Sequence, residues 1–227
     1  MEVDVKNFME IFKVNWLKTI YFNFKYLPFK KAIKLPCFVY RHVWLKKMGG
    51  VLDIPGKAST GMFKLGPVGL GTIDCKRERL IWEVGGKVIV RGRTNFGLGS
   101  RITIGRDSTL DIGADFCISG NSTIISQKGI TFGEKCLLSW DILVMDTDFH
   151  DIVGLDGNVL NDPRPITFGK HVWLGCRSTI LKGVSIADDT VVAAGSIISK
   201  SFDDNNVIVG GSGKDQNVIK RNINWVK

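Results

Sequence analysis

The chain lacks three things that would settle its class quickly: paired cysteines, a histidine cluster and a long apolar run. Its five cysteines, Cys37, Cys75, Cys117, Cys136 and Cys176, are odd in number and contain no C-x-x-C pair. Neither a disulfide framework nor a zinc knuckle is expected of them. Histidine occurs three times in 227 residues, at positions 42, 150 and 171. No apolar stretch approaches the roughly 20 residues needed to cross a bilayer. No signal peptide is expected where acids precede the first basic residues, and a reducing cytoplasm is the simplest compartment.

What is present is unevenly distributed. The formal net charge is +9, but residues 1–50 hold ten Lys/Arg against three Asp/Glu and half of the 22 aromatics. The basic balance therefore belongs to an N-terminal segment and does not predict nucleic-acid binding by the whole chain. Glycine, at 26 residues, points to many tight turns.

Beyond that segment the chain has a period of six. Leu174, Ile180, Ile186, Val192 and Ile198 are all aliphatic, and each is preceded by two positions by Val172, Ser178, Val184, Thr190 or Ser196. Upstream, Ile112, Ile118 and Ile124 keep the period, which resumes after a shift of two residues at Phe132, Leu138 and Val144. Helices repeat near 3.6 and plain strands at 2, so six is neither. It fits one short strand plus one turn, with the aliphatic residue inward. Such a unit cannot bury its own face, so the units must stack into a parallel β-solenoid. A β-sandwich would not hold this period over five consecutive positions.

The stretches "ISGNSTIISQKGITFGEKCLLSWDILVMDTDFHD" and "RPITFGKHVWLGCRSTILKGVSIADDTVVAAGSIISKSF" resemble the hexapeptide-repeat acyltransferases, in particular their sugar O-acetyltransferase branch. The resemblance covers roughly residues 85–220. It implies a left-handed parallel β-helix, acetyl-coenzyme A as co-substrate without a metal, a homotrimer, and a sugar or glycan acceptor in polysaccharide biosynthesis. The handedness rests on the resemblance alone, because ordinary crossovers are right-handed.

The repeat is interrupted once. From Val144 to Phe168 the in-phase positions are His150, Asp156 and Asp162, and the segment carries Gly154, Gly157, Pro163 and Pro165. Residues 146–165 are thus expected to leave the solenoid as a loop and return in register, and a long loop on a rigid scaffold is often functional. An ordinary imidazole titrates near 6.5, suited to taking a proton near neutrality, so His150 is the candidate general base. Asp146 and Asp148 are the candidate carboxylates to orient it. The resemblance places a general-base histidine in this loop, and His150 matches it. A DTD metal–nucleotide site would need an α/β context that is absent.

By resemblance, Cys176, Ala194, Ser199 and Lys200 match coenzyme contacts. Cys176 offers a backbone N–H near the thioester, and Lys214 or Lys220 carries the basic role at the coenzyme end. There the family's Gly-x-Pro-Ala/Cys turn is replaced by "VGGSGKDQNVIKRNINW". Ser119, Asn121 and Trp140 are the acceptor-side candidates. "VGGSGKDQ" misses the phosphate-loop pattern at both ends. With His171 expected as an exposed turn residue, three histidines for a hydratase zinc site are not available in the repeat. An N-acetyltransferase on an amino-sugar nucleotide and a non-catalytic scaffold remain as alternatives.

The expected organisation is a basic aromatic cap over residues 1–50, a solenoid over 51–210 and a tail with a short helix over 211–227. Phe8, Ile11, Phe12 and Trp16 fit one helical face. The segment's aromatic and basic composition suits both a cap on the first coil and peripheral contact with the inner membrane face.

Overall fold

The computed structural model describes residues 11–226. Strands short enough for a six-residue period run in order around three faces of a prism. The first coil holds β1 (Cys37–Val39), β2 (Val43–Met48) and β3 (Val51–Asp53), and the second β4 (Phe63–Leu65), β5 (Leu80–Val84) and β6 (Lys87–Val90). The third has β7 (Thr94–Phe96), β8 (Arg101–Ile104) and β9 (Thr109–Ile112), and the fourth β10 (Phe116–Gly120), β11 (Thr123–Ser126) and β12 (Gly129–Phe132). The fifth has β13 (Leu137–Trp140), β14 (Leu143–Met145) and β15 (Ile166–Phe168), and the sixth β16 (Trp173–Leu174), β17 (Thr179–Ile180) and β18 (Ser185–Ile186). The last turn adds β19 (Val191–Val192), β20 (Ile197–Ile198), β21 (Val207–Gly210) and β22 (Asn217–Arg221). Every third strand pairs in parallel, giving three stacked faces of nine, seven and six strands, the antiparallel β22 closing the first. This is the parallel β-solenoid expected of the repeat, and the left-handed β-helix that the resemblance implies.

The core runs along the axis. Leu174, Ile180, Ile186, Val192 and Ile198 are all buried, as are the small residues two positions before them. In the earlier coils aromatics take over: Phe63, Trp82, Phe96, Phe116, Phe132 and Phe168 form a continuous ladder of ring contacts, ending in Phe132 stacked parallel on Phe168 with centroids 4.5 Å apart. Each fully buried ring of this kind contributes on the order of 1.5–3 kcal/mol.

The solenoid begins at Cys37, ahead of the boundary expected at residue 50. The first coils have unequal steps and an aromatic core, so they carry no period of six to read. Before it lie α1 (Trp16–Tyr26) and α2 (Phe29–Ala32). Asn15 caps α1, accepting a hydrogen bond from the Lys18 amide at 3.0 Å. The helix stops where Leu27, preceding Pro28, turns extended. Of the expected helical face, Trp16 opens α1, while Phe8 lies outside the described residues.

α1 lies along the open edge of β1. Asn23 donates from Nδ2 to the Cys37 carbonyl at 2.7 Å and accepts from the Cys37 amide at 3.1 Å. The Val39 amide donates to Thr19 Oγ1 at 3.0 Å. Two side chains thus stand in for the missing neighbour strand, which removes an exposed edge. Phe22 packs into the mouth of the solenoid against Tyr26 and Trp82. At the other end the expected helix is reduced to a single 3-10 turn, Gly213–Asp215, followed by β22. β22 continues the first face by pairing with β21, a partner that lies in the chain just before it. No described helix is long and apolar enough to cross a membrane.

Candidate active site

The interruption at residue 146 is a true excursion. Val144 pairs with Ile180 and Phe168 with Ile186, so 24 residues stand opposite a step of six in the next coil. The loop folds back on itself through a bridge between Val153 and Val159. His150 lies out on it, exposed, so its in-phase number does not reflect an inward position.

Asp146 serves the root of the loop and does not contact His150. It is fully buried. Its carboxylate accepts from Ser126 Oγ at 2.6 Å and from the amides of Gln127, Lys128 and Gly129 at 2.7, 3.0 and 2.7 Å. Those residues form the widened corner between β11 and β12, the site of the two-residue shift in the period. Ser126 Oγ in turn lies 2.5 Å from Ser108 Oγ in the corner below. The Asp146 carbonyl accepts from the Arg164 amide at 3.1 Å, so one residue fixes both ends of the loop.

Asp148 does not reach the imidazole either. Its Oδ2 accepts from Lys182 Nζ at 2.5 Å and from Asn161 Nδ2 at 2.8 Å. Asn161 Nδ2 also donates to the His150 carbonyl at 2.9 Å, and Lys182 also donates to the Asn161 carbonyl. Lys182, then Asn161, hold the Asp148 carboxyl below its ordinary value. The network grips the backbone of His150 and leaves its ring without a hydrogen bond to any described residue. Phe149, just before it, has φ +63°, a conformation disfavoured for a bulky residue. The Phe149 amide donates to Thr147 Oγ1 at 3.0 Å and the His150 amide to the Asp148 carbonyl at 2.8 Å.

Asn121, Trp140, Cys176 and Ala194 gather on a different edge, the corner between the first and second faces. Its left-handed turn residues stack as Gly99, Asn121, Asp141, Arg177 and Gly195. A side chain at Gly99, where φ is +80°, would displace the Asn121 side chain, whose Oδ1 lies against it. That oxygen is buried without a partner among the described groups. Trp140 is 38% exposed, and its carbonyl accepts from the Arg177 amide. Cys176 is half-buried, and its amide donates to no described residue. Ala194 is exposed beside it. Ser119 lies on the first face, lining a hollow of about 310 Å³ with Lys64, Asn95 and Leu137.

Ser199 and Lys200 fall on the second-to-third corner, the same edge as the His150 loop. Buried Gln216 fixes them: its Oε1 accepts from the Ser199 amide at 2.8 Å and the Lys200 amide at 3.3 Å, and its Nε2 donates to Ser199 Oγ at 2.8 Å. Lys214 and Lys220 are exposed, in the 3-10 turn and β22. His171, expected as an exposed turn residue, does occupy a turn at φ +55°. Its ring is half-buried, stacked on Trp225 at 4.0 Å and paired with Asp189 at 2.8 Å. Among the described residues no group of three or more His, Cys, Asp or Glu is placed to hold a metal.

Lys182, Asn161 and Gln216 escaped the reading of the sequence. Lys182 and Asn161 are ordinary turn residues 21 positions apart that meet only because one coil stacks on the next. Gln216 sat within the segment already marked as departing from the family, but nothing singled it out there.

Residues 165–200 match the model of the hexapeptide repeat of succinyl-transferase. The galactoside O-acetyltransferase of Escherichia coli is 33% identical over 141 residues, 60% of this chain and 64% of that protein. The chain therefore spans just under two thirds of that relative's length. An uncharacterized 24.8 kDa protein in the cps region of Klebsiella pneumoniae is 32% identical over 164 residues, 70% of each chain. The crystal structure of a polysialic acid O-acetyltransferase superposes with a TM-score of 0.56 at 25% identity, over 82% of this chain and 91% of that one. With the repeat, the three-faced solenoid and its single excursion, these likenesses assign the chain to the hexapeptide-repeat acyltransferase family.

Proposed function

We propose that the protein is an acetyl-coenzyme A-dependent O-acetyltransferase acting on a sugar hydroxyl in glycan or polysaccharide biosynthesis, with His150 as general base. The observation that carries this reading is the loop itself. An interlocked set of Asp146, Asp148, Asn161 and Lys182 contacts fixes its roots and the His150 backbone while the imidazole stays free to meet a ligand. The relatives named above as O-acetyltransferases support the reaction class.

In the proposed reaction the acceptor hydroxyl gives its proton to His150 as its oxygen attacks the thioester carbonyl. The free amide of Cys176 is aimed at the developing oxyanion. The C–S bond breaks, coenzyme A leaves as the thiolate, and the proton held by His150 returns to it. No acyl-enzyme forms, so no cysteine acts as nucleophile. Asn121 hydrogen-bonds a sugar hydroxyl. Trp140 stacks on the ring and Ser119 lines the acceptor side. The coenzyme lies along Cys176, Ala194, Ser199 and Lys200, with Lys214 or Lys220 at its phosphates.

These residues occupy two edges of one prism. A homotrimer sets the His150 edge of one protomer against the Cys176 edge of the next, and this reading therefore includes one. It also places the protein in the cytoplasm, where acetyl-coenzyme A is at hand. The test is thiol release from acetyl-coenzyme A against sugars, nucleotide sugars and glycolipids. His150→Ala is expected to cut turnover by about 10²–10⁴-fold with unchanged coenzyme binding. Retained turnover removes His150 from the mechanism. Lability of the acetylated product to neutral hydroxylamine distinguishes an ester from an N-acetyl amide.

A further inference from the structure

α1 is turned the wrong way for a helix on a soluble surface. Such a helix normally buries its apolar stripe and shows polar residues to water. Here Thr19 and Asn23 are buried against β1, Phe22 and Tyr26 carry the apolar packing inward, and Trp16 lays one edge of its ring on Phe38 of β1. The opposite side presents Trp16, Leu17, Ile20, Tyr21 and Phe24, all exposed, with Leu17 at 84%. Phe29 of α2, 69% exposed, joins them through a ring contact with Phe24 at 6.0 Å. At 100° per residue, Trp16 through Tyr21 and Phe24 span an outward arc of about 140°. Contiguous apolar surface of this kind marks an interaction site.

The described sequence that builds this end is basic. Residues 11–50 contain nine basic residues, Lys13, Lys18, Lys25, Lys30, Lys31, Lys34, Arg41, Lys46 and Lys47, and no Asp or Glu. Lys25, Lys30 and Lys34 are exposed beside the aromatic arc. Because α1 lies across the open end of the solenoid, this surface faces away from the coils along the axis.

We propose that this end of the molecule docks on an anionic lipid bilayer. The aromatic arc inserts at headgroup level and the lysines pair with anionic headgroups. A protein partner with an acidic, apolar groove would meet the aromatic arc equally well. The absence of any acid over these forty residues and the position of the arc at one end of the prism favour a planar anionic surface. The surface lies away from the His150 loop, and the proposal does not depend on acetyl transfer.

The test is co-sedimentation of the full chain with phosphatidylcholine vesicles, with and without phosphatidylglycerol. Pelleting with the anionic vesicles, weakened by salt, is the expected result. Leu17→Glu/Phe24→Glu should lower partitioning more than about tenfold, and Lys25→Glu/Lys30→Glu/Lys34→Glu should do so on anionic vesicles. All five positions are exposed, and circular dichroism and thermal melts matching the parent verify folding. Recovery of the parent protein in the supernatant at low salt overturns the proposal, as does equal pelleting by Leu17→Glu/Phe24→Glu. Lipid-independent self-association that the same double variant abolishes, without pelleting of the parent, assigns the surface to a second copy instead. Since pelleting needs no acetyl donor, its failure and a failure of the transferase reading are read separately.

Discussion

Lys182 Nζ sits 2.5 Å from Asp148 Oδ2 across 34 residues of chain, tying the loop that bears His150 to the coil above it. Lys182 is largely shielded, its side chain 13% exposed, and it also holds the Asn161 carbonyl. Lys182→Ala should therefore loosen the placement of His150 without touching Cys176 and Ala194 on the other edge. We expect kcat to fall by about ten- to a hundredfold with the KM for acetyl-coenzyme A unchanged, and Lys182→Arg to restore part of it. Steady-state kinetics on the three proteins check this, and an unchanged kcat in Lys182→Ala would refute the positioning role.

The same pair sets a pH dependence. The Asp148 carboxyl is held low, first by Lys182 and then by Asn161. A depressed carboxyl contributes stability that is present above its unfolded value, near 3.9, and is lost as pH falls through its lower folded value. The loop should stay protected from cleavage through the ordinary carboxylate range and open only below it. In Lys182→Ala the opening should move to higher pH. Limited digestion with pepsin across acidic pH, mapping cuts within 146–165, reads both.

Asp146 makes a different prediction. Replacing it by Ala leaves the buried Ser126 hydroxyl and three partly buried backbone amides, those of Gln127, Lys128 and Gly129, without this acceptor. Unsatisfied buried donors cost about 1–3 kcal/mol each, partly relieved by relaxation. A net loss of about 3–5 kcal/mol in urea unfolding is expected, with Asp146→Asn losing less because one acceptor oxygen remains. A variant within about 0.5 kcal/mol of the parent would show that the corner does not need the carboxylate.

Gln216 organises the amides of Ser199 and Lys200 and the Ser199 hydroxyl. If those residues meet the coenzyme, Gln216→Ala should raise the KM for acetyl-coenzyme A by about tenfold and leave kcat nearly unchanged. Calorimetry with coenzyme A alone gives the same answer without turnover.

What could be read in the sequence follows from how local each feature is. Leu174 to Ile198 announced the solenoid because one inward aliphatic per six residues is a property of neighbours in the chain, and every one of those residues is buried. The two-residue shift after Ile124 was visible as a break in period. Its meaning was not, since the donors at 126–129 and the Asp146 they bind are brought together by the stacking of coils. For the same reason Asp146 and Asp148 read as rivals for His150, when each is taken by a group from a different coil. The early coils stayed hidden because Phe63, Trp82 and Phe96 fill an aromatic core with uneven corners. Of the helical face expected at Phe8, Ile11, Phe12 and Trp16 only Trp16 falls in α1, and which side of that helix faces the solenoid is decided by Asn23 and Thr19, whose hydrogen bonds go to a strand edge that the sequence does not display.

The stacking of β1 under β4, β7, β10 and β13 gives the molecule a built-in length. Adjacent strands lie about 4.8 Å apart, so the coil that launches the His150 loop stands roughly 19 Å above the first. With the aromatic end resting on lipid and the axis upright, the reaction would occur at that fixed height. Acceptors whose sugars hug the headgroups would be out of reach, and chains long enough to rise to the fifth coil would be chosen by distance alone. Deleting one internal coil would lower the site by a single strand spacing and shift the shortest accepted chain accordingly.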